Sequence, residues 1–151
     1  MIIYLKGDLL DCDAEVLVNA VNTVGVMGKG IALRFKERFP DNLKAYQLAC
    51  RDHKVKVGKV FNTMTGYDHN PKCIVNFPTK EHWRDPSQLQ WIVDGVSDLI
   101  EFVVRNNIKS IAIPALGCGL GGLKWDQVKQ VIEDRFDGIE GVTVLLYEPN
   151  D

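Results

Sequence analysis

The feature that most constrains the fold is an alternation of short, nearly continuous apolar segments with longer segments of helical spacing. The runs Glu15–Val21, Cys73–Phe77 and Ser110–Pro114 lack a regular polar alternation, which is typical of strands buried on both faces. Between them, Ser87–Asn106 repeats apolar residues every three or four positions and is predicted to form a long amphipathic helix. Strands buried on both faces need helices on both sides. The sequence therefore predicts a three-layer α/β domain with a largely parallel sheet.

The same two periods predict the remaining elements. The further strands are expected at Ile2–Lys6, Lys59–Thr63 and Val142–Tyr147. The further helices are expected at Ile31–Phe39, Asn42–Asp52 and Trp125–Phe136. Ser87 and Gln90 have the spacing of a capping box at the start of the long helix.

Composition narrows the class of protein. The 151 residues suit one domain, 1–151, and 46% hydrophobic with 25% charged residues is ordinary globular composition. The net charge of -2 provides no general attraction to nucleic acid or anionic membrane, so a bound nucleotide must be held by local geometry. The four cysteines form no C-x-x-C pair and have no metal-ligand spacing with the three histidines. We expect a reduced cytoplasmic protein with no cofactor, no metal and no membrane segment.

Three polar or glycine-rich segments follow predicted strands. They are Asn19–Gly30, Asn76–Arg84 and Leu116–Trp125. In a parallel sheet, ligands bind in the crevice at the carboxyl ends of the strands, so these segments are expected to meet at one site.

Two glycine loops predict an anion site. The segment Gly117–Gly122 matches the pattern G-x-G-x-x-G between a strand and a helix. A dinucleotide-binding fold is rejected, because that fingerprint opens the first βαβ unit and only one strand follows it here. A second loop, Gly28–Gly30, also opens a helix. Together the loops favour binding of a diphosphate through backbone N–H groups.

Isolated polar residues allow two interpretations each. Asp8, after the first strand, is a turn or cap residue, or accepts from an exocyclic amine. Asn19 suits bracing of the backbone, whereas Asn22 suits bracing and ligand contact equally. Lys80 and Arg84 lie in a basic loop that is a solvated surface in an average chain.

These segments together resemble the macrodomain family, which binds ADP-ribose. The matching stretches are Gly7–Leu9, Val18–Asn22, Met27–Ala32 and Pro114–Leu120, and they extend over nearly the whole chain. The resemblance implies a three-layer fold with a mixed, largely parallel central sheet.

Within the family, Pro114–Leu120 followed by Trp125 is similar to the branch of the human terminal ADP-ribose glycohydrolase. The segments Asn22–Gly30 and Asn76–Lys80, with His82-Trp83-Arg84, resemble the DarG-type DNA ADP-ribosyl glycohydrolases. These are bacterial antitoxins that remove ADP-ribose from thymidine in single-stranded DNA. The resemblance implies ADP-ribosylated single-stranded DNA as substrate and a DarT-type toxin as a partner.

The resemblance also assigns roles. Asp8 would read the adenine amine, Tyr147 would stack on adenine, Asn22 would touch the distal ribose, and Lys80 would be catalytic. The set assigned to ADP-ribose is Asp8, Leu9, Asn19, Asn22, Met27, Gly28, Lys29, Gly30, Ile31, Thr79, Gly117, Cys118, Gly119, Leu120, Gly121 and Tyr147. Lys80 and Asn22 are the assigned catalytic residues.

One departure bears on mechanism. The human glycohydrolase has a catalytic Asp where this chain has Gly121, so a Lys-plus-Asp mechanism does not transfer whole. Lysine is ordinarily an ammonium at neutral pH, which favours Lys80 as an acid or electrostatic stabiliser over a neutral nucleophile. His82 is a second candidate for proton transfer, or a loop brace.

Three alternatives remain at this point. The first is a protein that binds ADP-ribose without catalysis. The second is a hydrolase of protein-linked ADP-ribose or of O-acetyl-ADP-ribose. A thiol enzyme centred on Cys118 is the third, disfavoured because no histidine partner is evident in the sequence.

Overall fold

Six strands form one sheet and four helices cover it in the computed structural model, which describes residues 1–150. The strands are β1 (Ile2–Leu5), β2 (Val16–Val21), β3 (Phe61–Met64), β4 (Cys73–Pro78), β5 (Ser110–Ile113) and β6 (Thr143–Tyr147). The helices are α1 (Gly30–Arg38), α2 (Pro40–Arg51), α3 (Leu89–Arg105) and α4 (Trp125–Phe136), with short 3-10 turns at Leu9–Asp11 and Gly119–Gly121. Asp151, the last residue of the predicted domain, lies outside the described residues.

The sheet is mixed and mostly parallel, as predicted. Its strand order is β1-β6-β5-β2-β4-β3. The first five of these strands run parallel to one another, and β3 pairs antiparallel with β4 at the edge. Strand β2 is central, with Val16 opposite both Cys73 of β4 and Ile111 of β5. The carboxyl ends of five strands therefore share one edge of the sheet, called here the carboxyl edge.

Alternate residues of the central strands build two separate cores. Val16 and Val18 of β2 pack in the cluster that contains the buried faces of α3 and α4. Leu17 and Val21 pack on the opposite side, in the cluster that contains α1 and α2. Because successive side chains of a strand point to opposite faces, these two clusters place helices on both sides of the sheet. The predicted three-layer architecture is confirmed.

Helix α3 has the apolar stripe that its spacing predicted. Ile92, Val96, Leu99 and Val103 are all buried against the sheet. Gly95 lies directly over the Phe77 ring, so close that an added Cβ would overlap the ring atoms.

The predicted capping box at the start of α3 is wrong. The helix begins at Leu89, Gln88 occupies the cap position, and no side chain caps it. The Ser87 backbone N–H donates to the Gly121 carbonyl at 2.9 Å, which fixes Ser87 outside the helix. Among residues 1–150, the buried Ser87 hydroxyl has no hydrogen-bond partner. A long-range backbone contact therefore replaces the local cap, and the other predicted ends agree within about two residues.

No helix in residues 1–150 combines the length and apolar character needed to cross a membrane.

Candidate active site

A cleft of about 600 Å³ opens at the carboxyl edge of the sheet. The ends of β2, β4 and β5 form its floor and walls together with the start of α1, so the three predicted strand-end segments do meet. Of the seventeen predicted site residues, ten line the cleft: Asn22, Gly28, Lys29, Ile31, Thr79, Lys80, Gly117, Cys118, Leu120 and Gly121.

The amino terminus of α1 faces this cleft. Gly28, Lys29, Ile31 and Ala32 line it, and α1 begins at Gly30. The cap residue Lys29 makes no side-chain cap, and the first turn contains no acidic residue. The first N–H groups of a helix lack intrahelical acceptors, and their dipole favours anions. This end of α1 has the local chemistry of a phosphate site.

The second glycine loop forms the opposite wall. It folds into the 3-10 turn Gly119–Gly121 rather than running straight into a helix, and α4 begins only at Trp125. A Cβ added at Gly121 would lie 2.5 Å from Ser87 Oγ and 3.9 Å from Lys80 Cε. A Cβ added at Gly117, where φ is +74°, would lie 2.6 Å from Leu123 Cδ1 and 3.3 Å from Ser87 Cβ. Glycine is favoured at position 121 by packing against Ser87, and at position 117 by packing against Leu123 together with the positive φ.

Lys80 follows β4 and lines the cleft between these two walls. Its Nζ donates to the Trp83 carbonyl oxygen at 3.0 Å. An ammonium group has three hydrogens, so two remain to be donated. The Thr79 backbone N–H donates to the Val21 carbonyl at 2.8 Å, which fixes the start of this segment against the end of β2.

Asn22 holds the loop between β2 and α1. Its Oδ1 accepts from the backbone N–H groups of Val24, Gly25 and Val26, at 3.1 to 3.3 Å. The Tyr46 hydroxyl also donates to Oδ1, at 2.9 Å, and Asn22 Nδ2 donates to the Val26 carbonyl at 2.8 Å. Both interpretations of Asn22 thus find support, since its amide braces the loop while the residue lines the cleft.

The thiol of Cys118 is not activated. Burial raises the pKa of Cys118, and its Sγ lies 3.8 Å from the Leu116 carbonyl, to which it donates. A raised pKa lowers the fraction of thiolate, which is the reactive form. Within the described part of the chain, no group of three or more metal-ligating side chains comes together.

Most of the chain matches a known protein family. The macro domain family matches residues 18–132. The chain belongs to the macro domain family.

A solved structure similar to this macro domain is that of the macrodomain of Mycobacterium tuberculosis DarG. It is 50% identical, with a TM-score of 0.97, and the match covers 99% of both chains. A structure of Thermosipho africanus DarTG in complex with ADP-ribose is 35% identical, with a TM-score of 0.89. That match covers 98% of this chain and 41% of the other.

Among curated proteins, the DNA ADP-ribosyl glycohydrolase of Thermus aquaticus is 48% identical over 149 residues. The match covers 99% of this macro domain and 41% of the relative. The chain spans about two fifths of the length of the DNA ADP-ribosyl glycohydrolases from Thermus aquaticus and Mycobacterium bovis.

The seven predicted residues outside the cleft fall into three groups, two in the loop regions and one beside α1. Gly30 and Gly119 adjoin lining residues in the two glycine loops. Asn19 and Met27 are buried behind the first loop, where Asn19 Nδ2 donates to the thioether sulfur of Met27, Sδ, at 3.7 Å. Asn19 is fully buried, and its hydrogen bond supports the loop, the interpretation that its sequence context favoured. Its assigned contact with ADP-ribose stays a prediction.

The residues predicted for adenine lie beside α1. Asp8 accepts from the Leu10 backbone N–H at 3.0 Å and forms an ion pair with Arg34. Leu9 is buried in the α1–α2 core, and Tyr147, at the end of β6, is largely buried in the same cluster. The adenine contacts of these residues stay a prediction.

The sequence interpretation left out part of the wall. Trp83 and Arg84 line the cleft, although only Thr79 and Lys80 of that segment were assigned to the site. The remaining lining residues are small or apolar: Ala20, Val21, Val26, Ala32, Pro114 and Ala115. The only sequence signal for these residues is that most of them lie next to predicted strand ends. Within the loop itself, His82 Nδ1 accepts from the Arg84 backbone N–H at 3.2 Å, so His82 braces this segment.

Proposed function

We propose that this macro domain removes ADP-ribose from thymidine in single-stranded DNA, with Lys80 as the catalytic residue. The observation that carries the proposal is Lys80 in one cleft with the α1 amino terminus and the second glycine loop. Similar chains named DNA ADP-ribosyl glycohydrolase, and a similar structure holding ADP-ribose, support the reaction and the ligand.

The diphosphate is placed against the two loops in this proposal. The uncapped start of α1 supplies N–H groups from one side, and the turn Gly119–Gly121 supplies backbone from the other. Lys29 adds a positive charge at the same end. The distal ribose then lies towards Lys80 and Asn22, which line the cleft beyond the loops.

The reaction breaks the bond between the anomeric carbon of the ribose and a thymine nitrogen. Positive charge develops on the ribose and negative charge on the departing base, so a cation or acid beside the base lowers the barrier. A Lys80 ammonium retains two hydrogens beyond the one donated to Trp83. It can donate a proton to the departing nitrogen while water adds to the anomeric carbon, and the proton that this water releases then restores the ammonium. Alternatively, it stabilises the negative charge of the base, which then takes the proton from the water. A carboxylate at position 121 is not part of this mechanism, since that residue is Gly121.

The substrate is produced by a DNA ADP-ribosylating enzyme, and we propose a DarT-type toxin as that partner activity. The similarity to Thermosipho africanus DarTG supports this assignment.

The decisive experiment measures release of ADP-ribose from a single-stranded oligonucleotide modified on thymidine. We expect Lys80→Ala to lower turnover at least 100-fold, while calorimetry shows ADP-ribose affinity within about threefold of wild type, since a lost general acid typically costs 10²–10⁴ in rate. Lys29→Ala is the matched control, because it removes another lysine of the same cleft and should weaken affinity rather than turnover at saturation. Lys80→Arg separates the two chemical roles. An electrostatic role leaves measurable turnover, and a nucleophilic role leaves none.

Full turnover by Lys80→Ala would reject the catalytic assignment. ADP-ribose binding by wild type with no release from DNA would favour protein-linked or O-acetyl-ADP-ribose as substrate, to be assayed directly, or a reader without catalysis.

A further inference from the structure

An exposed indole lies at the mouth of the cleft. Trp83 is 52% exposed and lines the cleft together with Lys80 and Arg84. A single exposed apolar residue needs no explanation by itself. This indole differs because the loop holds it in place next to the proposed catalytic amine.

Two neighbouring side chains fix the indole. The Arg84 guanidinium carbon is 5.3 Å from the centroid of the Trp83 ring, and the His82 ring centroid is 4.9 Å from it. Arg84 Nε and its backbone N–H both donate to His82 Nδ1, at 3.2 Å. The three residues form a compact group in which the guanidinium lies over one face of the exposed indole, called here the Trp83 platform.

The platform is tied to the catalytic segment. Lys80 Nζ donates to the carbonyl oxygen of Trp83 itself, at 3.0 Å. The Thr23 backbone N–H and Oγ1 both donate to the Glu81 carbonyl, at 3.1 and 2.9 Å, which joins this loop to the one after β2. The position of the indole relative to the Lys80 amine is therefore determined by the fold.

Only certain leaving groups have a surface that matches this platform. A nucleobase has a flat face, and stacking on an aromatic side chain contributes about 1–3 kcal/mol per base. The phosphates that flank an unpaired base need a local cation, because the net charge of -2 offers no general attraction. An ADP-ribosylated carboxylate or an acetyl ester has neither a ring nor a flanking phosphate.

We infer that Trp83 stacks on the nucleobase that carries ADP-ribose and that Arg84 contacts the adjacent phosphate. This inference rests on the proposed function and names the substrate-binding surface that distinguishes DNA-linked from free ADP-ribose. Trp83 is a substrate-binding residue in this assignment. The two loops beyond Lys80 bind the ADP-ribose itself.

The first test compares affinities in a Lys80→Ala background, where the substrate is not consumed. We expect the modified oligonucleotide to bind more tightly than free ADP-ribose. Adding Trp83→Ala should weaken oligonucleotide binding about 10- to 100-fold, the equivalent of 1–3 kcal/mol, and change ADP-ribose affinity less than twofold. Trp83→Phe should keep most of the affinity because it keeps an aromatic face.

Tyr67→Ala is the matched control. Tyr67 is 40% exposed and stacks on His69 at 5.0 Å, so it is also an exposed aromatic beside a histidine. It lies in the connection from β3 to β4, at the sheet edge opposite the cleft, since Met64 pairs with Cys73 at the start of β4. Its removal should leave both affinities unchanged.

The second test concerns Arg84. The affinity of a single strand for a protein falls with salt, with a slope of about 0.7 for each phosphate contacted. Arg84→Gln should therefore lower the slope by about 0.7, and Lys109→Gln, a change at an exposed lysine on the opposite edge, should not.

The outcomes separate the two proposals. If the Lys80→Ala protein and the Lys80→Ala, Trp83→Ala protein bind the modified oligonucleotide equally well, the stacking role of Trp83 is rejected. This holds even if wild type releases ADP-ribose from DNA. An equal loss of free ADP-ribose affinity would also overturn that role, because Trp83 would then belong to the ADP-ribose site. Absence of DNA turnover by wild type would reject the proposed function, whereas the binding comparison would still decide whether Trp83 holds a base.

Discussion

Gly121 illustrates how one residue can determine both a loop and its chemistry. Any side chain at this position points at Ser87 Oγ and, beyond it, at Lys80 Cε. The sequence alone identifies the departure from the human glycohydrolase. It does not identify Ser87 as the residue occupying the adjoining space, because that contact joins positions 34 residues apart in the chain. Ser87 therefore occupies the space that a side chain at position 121 would need, which accounts for the absence of a carboxylate there.

We predict that Gly121→Ala lowers the free energy of unfolding by about 1–3 kcal/mol, because the new Cβ overlaps Ser87 Oγ. Urea denaturation measures the change. Gly28→Ala is the control in the other glycine loop, where the added Cβ meets only Val26 Cγ1 at 3.5 Å. Ser87→Ala in the Gly121→Ala background should restore part of the loss, since Oγ is removed while Cβ, at 3.2 Å, remains. Equal stability of the Gly121→Ala and Gly28→Ala proteins would contradict this account.

At the scale of elements, apolar periods predict the strands and helices well because burial of whole faces dominates their formation. The spacing in 87–106 and the continuous run in β4 both correspond to observed elements. The missed features depend on contacts between distant segments. The start of α3 is set by a hydrogen bond from Ser87 to Gly121, and the 3-10 turn at Gly119–Gly121 by closure of a loop. No local pattern contains that information.

The packing of α3 on β4 gives a prediction at this scale. Gly95→Ala should gain about 1 kcal/mol of helix propensity, yet its Cβ overlaps the Phe77 ring in a fully buried contact. Overpacking of this kind costs about 1–3 kcal/mol, so we expect a net loss and a lower Tm. Ser97→Ala, at an exposed position of the same helix, should be neutral or slightly stabilising. A rise in Tm for Gly95→Ala like that expected for Ser97→Ala would show that the contact relaxes freely.

At the scale of the whole molecule, burial keeps cysteine thiols and a tyrosine hydroxyl in their neutral, protonated forms. Burial raises the pKa of Cys73 from 9.0 to about 11. Burial also raises the pKa values of Tyr46 and Cys50, which lie together on the inner side of α2. A group with a raised pKa stabilises the fold fully below its unfolded pKa, and the contribution is lost as pH rises through the folded value.

We therefore predict that the free energy of unfolding falls between pH 9 and pH 11. For Cys73 alone, a difference of about two pH units corresponds to about 3 kcal/mol at most. Cys73→Ala should flatten this part of the profile. The loss of packing caused by the substitution is measured separately as the change in the free energy of unfolding at pH 7, where the thiol is protonated in both the folded and the unfolded state. A Cys73→Ala profile parallel to that of wild type from pH 7 to pH 11 would reject the assignment.

The pairing of β1 with β6 has a consequence for how the chain folds. Ile2 lies opposite Val144, and the Glu148 backbone N–H donates to the Leu5 carbonyl at 2.8 Å. Such distant partners carry a large loop-closure entropy and slow the formation of the sheet. Of the six strands described here, β1 is synthesised before the others, yet its partner β6 is the last of them to leave the ribosome. The cleft strands β2, β4 and β5 are complete earlier, so the region around the cleft can assemble before the edge of the sheet is closed.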